Sequence, residues 1–447
     1  MSTTEKRRIW VYTLLMATLE FINYIPHRVI VDAHGAVSWA RDTACIPIKN
    51  LPQVFWGDGT PWMEANLWAH ERATTSKTDI KTVQSNLTHL HKYAEWLELE
   101  EVDWRHFPML ERNRALIRWR KHLIKLRDEL GLLAPSTATQ RMNATINFYR
   151  YARVNDLIDR DSPMWQDRQV LHRYHDAHGF ERTMLLSSTD LAIPNRARLG
   201  SRLEDGLTPL TRDQMHELLA FTAKEGNVSR ELHLMLQLGF FAGPRIETIT
   251  DLKRGTLDKA VTDPAIPGLV YLAVGPGHRP HVATKFDVQG RIMLPVWLFD
   301  ALREHANSTT RLKREALAPP EGKDLLFLTR FGHHYADRES NAGTAVGRAM
   351  VDLRVKVAAA GMKFAENFHF HMTRATFGTW LTSLLLERGY NVKAVLTFVS
   401  DAMLHKDIET TLKYIKFVEQ TPIKIEVANE FTRAFLGFGA GHEANHD

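Results

Sequence analysis

The residue pattern predicts an α+β fold, mostly helical: a helical domain, then a second, mainly helical domain that carries a small antiparallel sheet. Three observations lead there. From about 64 to 165, apolar residues recur at three- and four-residue spacing, as on helices with one buried face. Between 268 and 295 the pattern shortens to strand-like pieces, Gly268–Val274, His281–Lys285 and Arg291–Pro295. The turn residues Asp287-Val288-Gln289-Gly290 join the last two pieces as a hairpin. Past Leu325–Leu328 the helical spacing returns and runs to about Phe435.

Length and composition set the outer bounds. A chain of 447 residues folds as roughly two or three domains, each able to bury a core. Hydrophobic residues make up 44% and charged residues 24%, the balance of a soluble globular protein. The net charge of +5 permits a nucleic-acid partner without demanding one. Cys45 is the only cysteine, which excludes an intramolecular disulfide and a cysteine-rich metal cluster and predicts a cytoplasmic setting. Lys6-Arg7-Arg8 ahead of Ile9–Leu19 has the shape of a targeting signal. The apolar run is shorter than the roughly 20 residues that span a bilayer, and Glu20 interrupts it. A buried N-terminal helix or strand is the expectation, with no membrane partner.

The elements follow in order. Residues 1–63 form an N-terminal arm or small subdomain of unassigned role. In it Arg28–Val31 reads as a strand running into the turn Asp32–Gly35, and Trp56–Pro61 is a turn cluster. Residues 64–165 form the helical domain. Thr78-Asp79 caps a helix with Val83, Leu87, Leu90, Tyr93, Ala94 and Leu97 on its buried face. A second helix runs from about Arg112 to Leu130, and a third follows Pro135 with Ser136 or Thr137 as its cap. These two helices carry Arg114, Arg118, Lys121, Lys125, Arg141, Arg150 and Arg153. Any one of these cations suits a solvated helix face, but two successive helices so rich in arginine suggest a surface for phosphates. Residues 166–206 are polar and mixed in charge, and read as a linker. The second domain spans 207–447 and opens with a helix capped by Thr211.

Chemistry concentrates in that second domain. His405 and Tyr414 stand nine positions apart around a helical lead-in, with Ile408 and Leu412 on one face. A tyrosine among cations can act as a nucleophile toward phosphate. Gly243-Pro244-Arg245 puts an arginine at a helix start, where its forked donors match phosphate oxygens. Lys285, on the hairpin strand, can supply a proton from a point charge, although an edge-strand lysine that discourages aggregation fits the same position. His371 and Arg374 lie three apart on one helical face, a proton carrier beside a phosphate clamp. Phe368, Phe370 and Phe377 around His371 would equally suit a core histidine.

Taken together, Arg245, Lys285, His371-x-x-Arg374, His405 and Tyr414 form an ordered set that resembles the tyrosine recombinase (phage integrase) family. The matching text is Gly243-Pro244-Arg245-Ile246, Thr284-Lys285 followed by Arg291–Pro295, His371–Phe377, and His405–Tyr414. Three positions depart from the family pattern. Thr248 stands where an acidic residue often follows the first arginine, Ala375 where a histidine often follows the second, and Leu404 where a glycine usually precedes the third-motif histidine.

The resemblance implies a core-binding domain over 64–165 and a catalytic domain over 207–430. It implies site-specific cutting and rejoining of double-stranded DNA through a 3′-phosphotyrosine, with no metal and no cofactor, in a mobile-element or integration role. It assigns Tyr414 as nucleophile, His371 as its base, Arg245 and Arg374 as the phosphate clamp, His405 as a further donor and Lys285 as the acid at the leaving 5′-oxygen. It implies a DNA-bound tetramer that is monomeric or dimeric when free. It also implies a C-terminal helix, Glu426–Leu436, that docks on its own or a neighbouring subunit. A type IB topoisomerase, a telomere resolvase and a DNA-binding relative without catalysis share parts of this signature.

Overall fold

Among the described residues, four helices and a strand pair close over one aromatic core in the first part of the chain. The protein's structure, a computed structural model, describes residues 16–75, 78–175, 181–194, 203, 207–262, 266, 268–336, 345–406 and 409–419. The chain divides into two compact units, one chiefly Met1–His172 with Met184–Ala197, the other chiefly Arg198–Asp337 with Ala342–Asp447. The targeting-like segment up to residue 15 and the expected C-terminal helix lie outside the described residues, as does Ile408.

In the first unit, β1 (Thr18–Tyr24) pairs antiparallel with β4 (Ile48–Phe55), bringing Leu19 opposite Val54. Between them β2 (His27–Val31) and β3 (Val37–Arg41) form an exposed two-stranded ribbon. The helices are Met63–Thr74, Ile80–Leu99, Ala115–Asp128 and Pro135–Val154. Residues 16–62, within the stretch expected as an arm or small subdomain, contribute Ala17, Leu51, Val54 and Trp62 to the helices' core. Leu51, Val54 and Trp62 are buried with Trp68, Leu87, Tyr93, Trp119 and Phe148. Asn66 fixes β4 to the first helix by accepting from Val54 N at 2.7 Å and donating to Val54 O at 3.0 Å. Inside the core the Tyr93 and Tyr149 hydroxyls are 2.8 Å apart, and Tyr149 donates to the Trp104 carbonyl, so both buried phenols are satisfied.

Asp79 caps the second helix as expected, accepting from Lys81 N. The fourth helix differs. Pro135 is its first residue and Ala134 its cap, with no side-chain bond, so neither Ser136 nor Thr137 serves. Proline suits that first position because its missing N–H would find no partner there anyway. The segment read as a linker carries structure of its own. Its residues Asp167–His175 and Glu181–Thr189 are strands β5 and β6, paired with each other.

The second unit is built around the helix Arg230–Ala242, nearly all of whose side chains are buried. Helix Arg212–Ala223 precedes it with a full capping box between Thr211 and Gln214. The sheet has three strands in the order β7 (Val261–Thr262), β8 (Leu269–Val274), β9 (Gly290–Pro295), with Val270 opposite Leu294. Here the expectation fails at one place. His281–Lys285 is no strand; 281–284 runs without a ladder and Lys285–Asp287 is a 3₁₀ turn, so the partners joined across the loop are β8 and β9. The backbone of 281–284 finds other partners. Gly275 N donates to Val282 O, and Ala283 N donates to a carboxylate oxygen of Asp251 at 2.6 Å. Helices Val296–Ala306, Thr309–Leu317, Ala345–Ala359, His371–Glu387 and Val392–Ala402 follow, and residues 409–419 are again helical.

Candidate functional site

Two glycines let the two arginine-bearing segments meet. Helix Arg230–Ala242 ends at Gly243, which takes the left-handed conformation at φ 72°. A Cβ on Gly243 would fall 2.2 Å from the Phe377 ring, and one on Gly239 would fall 2.1 Å from Thr373 Oγ1. Both positions therefore require glycine for the close approach of helix His371–Glu387. Arg245, two residues past Gly243, stands at the N-terminal cap position of the short helix Ile246–Thr250, with no side-chain cap bond. Arg374, one turn into the facing helix, is fully buried.

Both guanidiniums then turn to the same place. Arg374 donates to the Gly243 carbonyl at 2.6 Å and to the Met403 carbonyl at 2.6 Å. Arg245, half-buried, donates to the Leu404 carbonyl at 3.3 Å. The turn they hold leads into His405, whose Nδ1 lies 2.8 Å from the hydroxyl of buried Thr411. The His405 ring stacks on Tyr414 with centroids 6.0 Å apart. Arg245, Arg374, His405 and Tyr414 are thus brought together at the 403–405 turn. His371, half-buried, opens the helix that carries Arg374.

Leu404 occupies the place where the family pattern has glycine, and its backbone keeps the conformation glycine favours, φ 52°. Its side chain is buried over Gly290 at the start of β9, where an added Cβ would clash with it at 2.3 Å. Packing of the leucine therefore offsets the backbone cost. Thr248 and Ala375, the other two departures, are both buried.

Lys285 is exposed at the tip of the loop before β9, in a 3₁₀ turn rather than on a strand. Its Nζ lies 5.2 Å from the centre of the Phe286 ring, and Lys406 Nζ lies 5.5 Å from the same centre. The shared ring links this loop to the residue after His405. A cleft of about 390 Å³ opens beside the two loops, lined by Gln289, Arg291, Met293, Phe398, Ser400 and His405.

Tyr414 is buried completely, among Ala375, Phe377, Leu381, Val395, Val399 and Met403. Gly378 lies under it, since a Cβ there would meet the Tyr414 ring at 2.6 Å.

The cations expected on the helical domain have mixed fates. Lys121 and Lys125 are exposed. Arg118 pairs with Glu100 at 2.6 Å and lies over the Trp96 ring, Arg114 donates to the Pro108 carbonyl, and Arg153 lies over the Trp165 ring. Arg141 is half-buried, and burial pulls its guanidinium below the usual arginine range, with Glu95 opposing. Arg150 is half-buried as well. Arg120 and Arg127, on the same helix as Lys121, donate to the carbonyls of Leu191 and Pro194 and so hold the segment after β6.

Sequence reasoning missed the Gly243 and Met403 carbonyls, Thr411, Phe286 and Lys406. The spacing Gly239-x-x-x-Gly243 ahead of Arg245 was the one available signal for the close helix approach. Among the described residues no cluster of His, Cys, Asp and Glu is placed to hold a metal ion, and no helix is long and apolar enough to cross a membrane.

No protein-family model and no curated protein matches the sequence. Among solved structures, the chain is similar to XerH site-specific recombinase bound to palindromic difH substrate, with a TM-score of 0.47, 16% identity, and coverage of 83% of this chain and 84% of that one. It is similar to the Tn1549 transposon integrase in complex with circular intermediate DNA, with a TM-score of 0.46, 16% identity, and coverage of 78% and 94%. A lambda integrase dimer bound to a COC′ core site gives a TM-score of 0.46, 12% identity, and coverage of 79% and 92%.

Proposed function

We propose that the chain cuts and rejoins double-stranded DNA as a site-specific recombinase or integrase, through a 3′-phosphotyrosyl intermediate. The observation that carries this reading is the meeting of Arg245, Arg374, His405 and Tyr414 at the 403–405 turn. Four side chains suited to one phosphoryl transfer come from three separate segments.

In this reading the Tyr414 oxygen attacks a backbone phosphorus and the 5′-oxygen of the next nucleotide leaves. The new ester conserves the bond energy, so rejoining needs no nucleotide triphosphate. A phenol titrates near 10 in water, so a base must take its proton, and His371 is the candidate. Arg245 and Arg374 offset charge on the non-bridging oxygens, the role a metal ion fills in other phosphoryl transfers. His405 adds a donor, and Lys285 protonates the leaving oxygen. Lys121, Lys125 and their neighbours contact phosphates without reading sequence. Four copies assemble on the DNA, and the protein is DNA-associated in the cytoplasm. Because Tyr414 is buried, attack requires a shift of the helix 409–419 that carries it.

That burial also favours a second reading, a DNA-binding relative in which Tyr414 is only core. One experiment separates them. The full chain is incubated with duplexes from the flanks of its own coding sequence, and covalent protein–DNA adducts are read on denaturing gels. The cleavage reading expects an adduct with the wild type, none with Tyr414→Phe, and equal DNA binding by both. An adduct from Tyr414→Phe places the nucleophile elsewhere. Binding without any adduct supports the second reading. Plasmid relaxation without exchange between two sites points instead to topoisomerase-type chemistry.

A further inference from the structure

We propose that Phe286 is a positioning residue, which holds the Lys285 ammonium beside the His405 turn so that it can protonate the leaving oxygen. The inference rests on the cleavage reading above and refines one of its steps.

Three observations meet at this side chain. Its ring centre has Lys285 Nζ at 5.2 Å and Lys406 Nζ at 5.5 Å, both inside the roughly 6 Å reach of a cation–π contact. The ring is 62% exposed, so core packing does not hold it there. Its backbone lies at φ 63°, followed by Asp287 at φ 52°, a region that residues with a Cβ avoid. Two such residues in a row aim the ring outward at the tip of the loop. The base of the loop is closed independently, by Thr284 Oγ1 donating to Val288 O at 2.7 Å.

The electrostatics give the arrangement a direction. Two ammonium groups near one another repel, and the electron-rich face of a shared ring offsets that repulsion. Lys406 directly follows His405, so the ring ties the Lys285 loop to the turn that Arg245 and Arg374 already hold. A flexible four-carbon side chain is thereby restrained before substrate arrives, which lowers the entropy cost of delivering its proton.

The step affected is the departure of the 5′-oxygen. A bond forms from the Tyr414 oxygen to phosphorus, and the bond from phosphorus to O5′ breaks. The electron pair stays on O5′, which takes a proton from the Lys285 ammonium. The phenolic proton passes to His371. If sulfur replaces O5′, the leaving thiolate is a far weaker base and departs without a proton.

The test is single-turnover cleavage by the full chain on the duplex that gives the wild-type adduct, made with either oxygen or sulfur at the bridging 5′ position. Phe286→Leu should slow the oxygen substrate about fivefold, as expected for loss of a cation–π contact, and leave the sulfur substrate nearly unchanged. Phe286→Trp, which keeps a π face, should match the wild type on both. Equal slowing of both substrates by Phe286→Leu, slowing of neither, or equal losses in the Leu and Trp variants would each overturn the proposal. Absence of a wild-type adduct on either substrate would overturn the cleavage reading itself, a distinct result.

Discussion

The guanidinium of Arg374 donates to the carbonyl oxygen of Met403 at 2.6 Å, 29 positions along the chain. A second donor of the same fork reaches the Gly243 carbonyl at 2.6 Å. One buried side chain thus joins the end of one helix, the start of another and the turn ahead of His405.

Arg374→Lys should show what that fork contributes. An ammonium is a compact charge that cannot span both carbonyls. At least one buried carbonyl is then left unsatisfied, at a cost of about 1–3 kcal/mol. Urea denaturation should report a stability loss of that size. On the cleavage reading, adduct formation should also fall by about a hundredfold or more, as expected when a fixed donor is lost from a transition-state site. Full stability together with full adduct yield would refute the assigned role.

Leu404 allows a test in which the usual order of two substitutions reverses. Glycine normally destabilises more than alanine. At φ 52° alanine keeps the backbone strain and glycine relieves about 1–2 kcal/mol of it. Both variants lose the buried leucine and should fall below wild type by about 2–5 kcal/mol before that relief. Leu404→Gly should therefore be the more stable of the two, by about 1 kcal/mol, in urea melts. The conventional order would mean that the turn relaxes out of the left-handed region.

The helical unit predicts a split among its cations. Lys121→Ala and Lys125→Ala should leave stability unchanged and, on the DNA-contact reading, each reduce the slope of log affinity against log salt by about 1. Arg127→Ala should behave differently. Its side chain is buried, pairs with Asp128 and donates to Pro194 O, so it should lower the melting temperature. Salt-dependent binding measurements beside thermal melts check both halves.

Buried histidines set the direction of pH dependence. Burial holds His233 and His305 below the usual 6.5, with Arg230 adding to the effect at His233. Below pH 6.5 the unfolded chain binds protons that the folded chain refuses, so stability falls as pH drops and rises toward neutrality. His233→Gln, read in urea melts at pH 7 and pH 5.5, should show a smaller loss between those pH values than the wild type. An equal loss would assign the acid sensitivity to other groups.

Much of this was legible in the sequence, for physical reasons that differ by residue. Asp79 and Thr211 read as caps because their side chains act on neighbours two or three residues away. Arg245, Arg374, His405 and Tyr414 read as a set because their types and order suit phosphoryl transfer. The Lys285 segment misled. Val282 and Thr284 are buried and alternate with more exposed neighbours as strand residues do, but its backbone partners are Gly275 and the Asp251 carboxylate, which no local pattern announces. The anchoring roles of Arg120 and Arg127 were hidden for the same reason, because the carbonyls they bind lie some 70 positions away.

Gly239 and Gly243 carry a consequence beyond their own helix. The separation of Arg245 from Arg374 is gauged by how near two backbones come, and hydrogen atoms alone set that gauge. Any added methyl group would widen it, moving both cations at once and leaving each with its own chemistry intact. The tolerance of this centre to change is therefore narrowest at two residues that hold no charge and would touch no substrate.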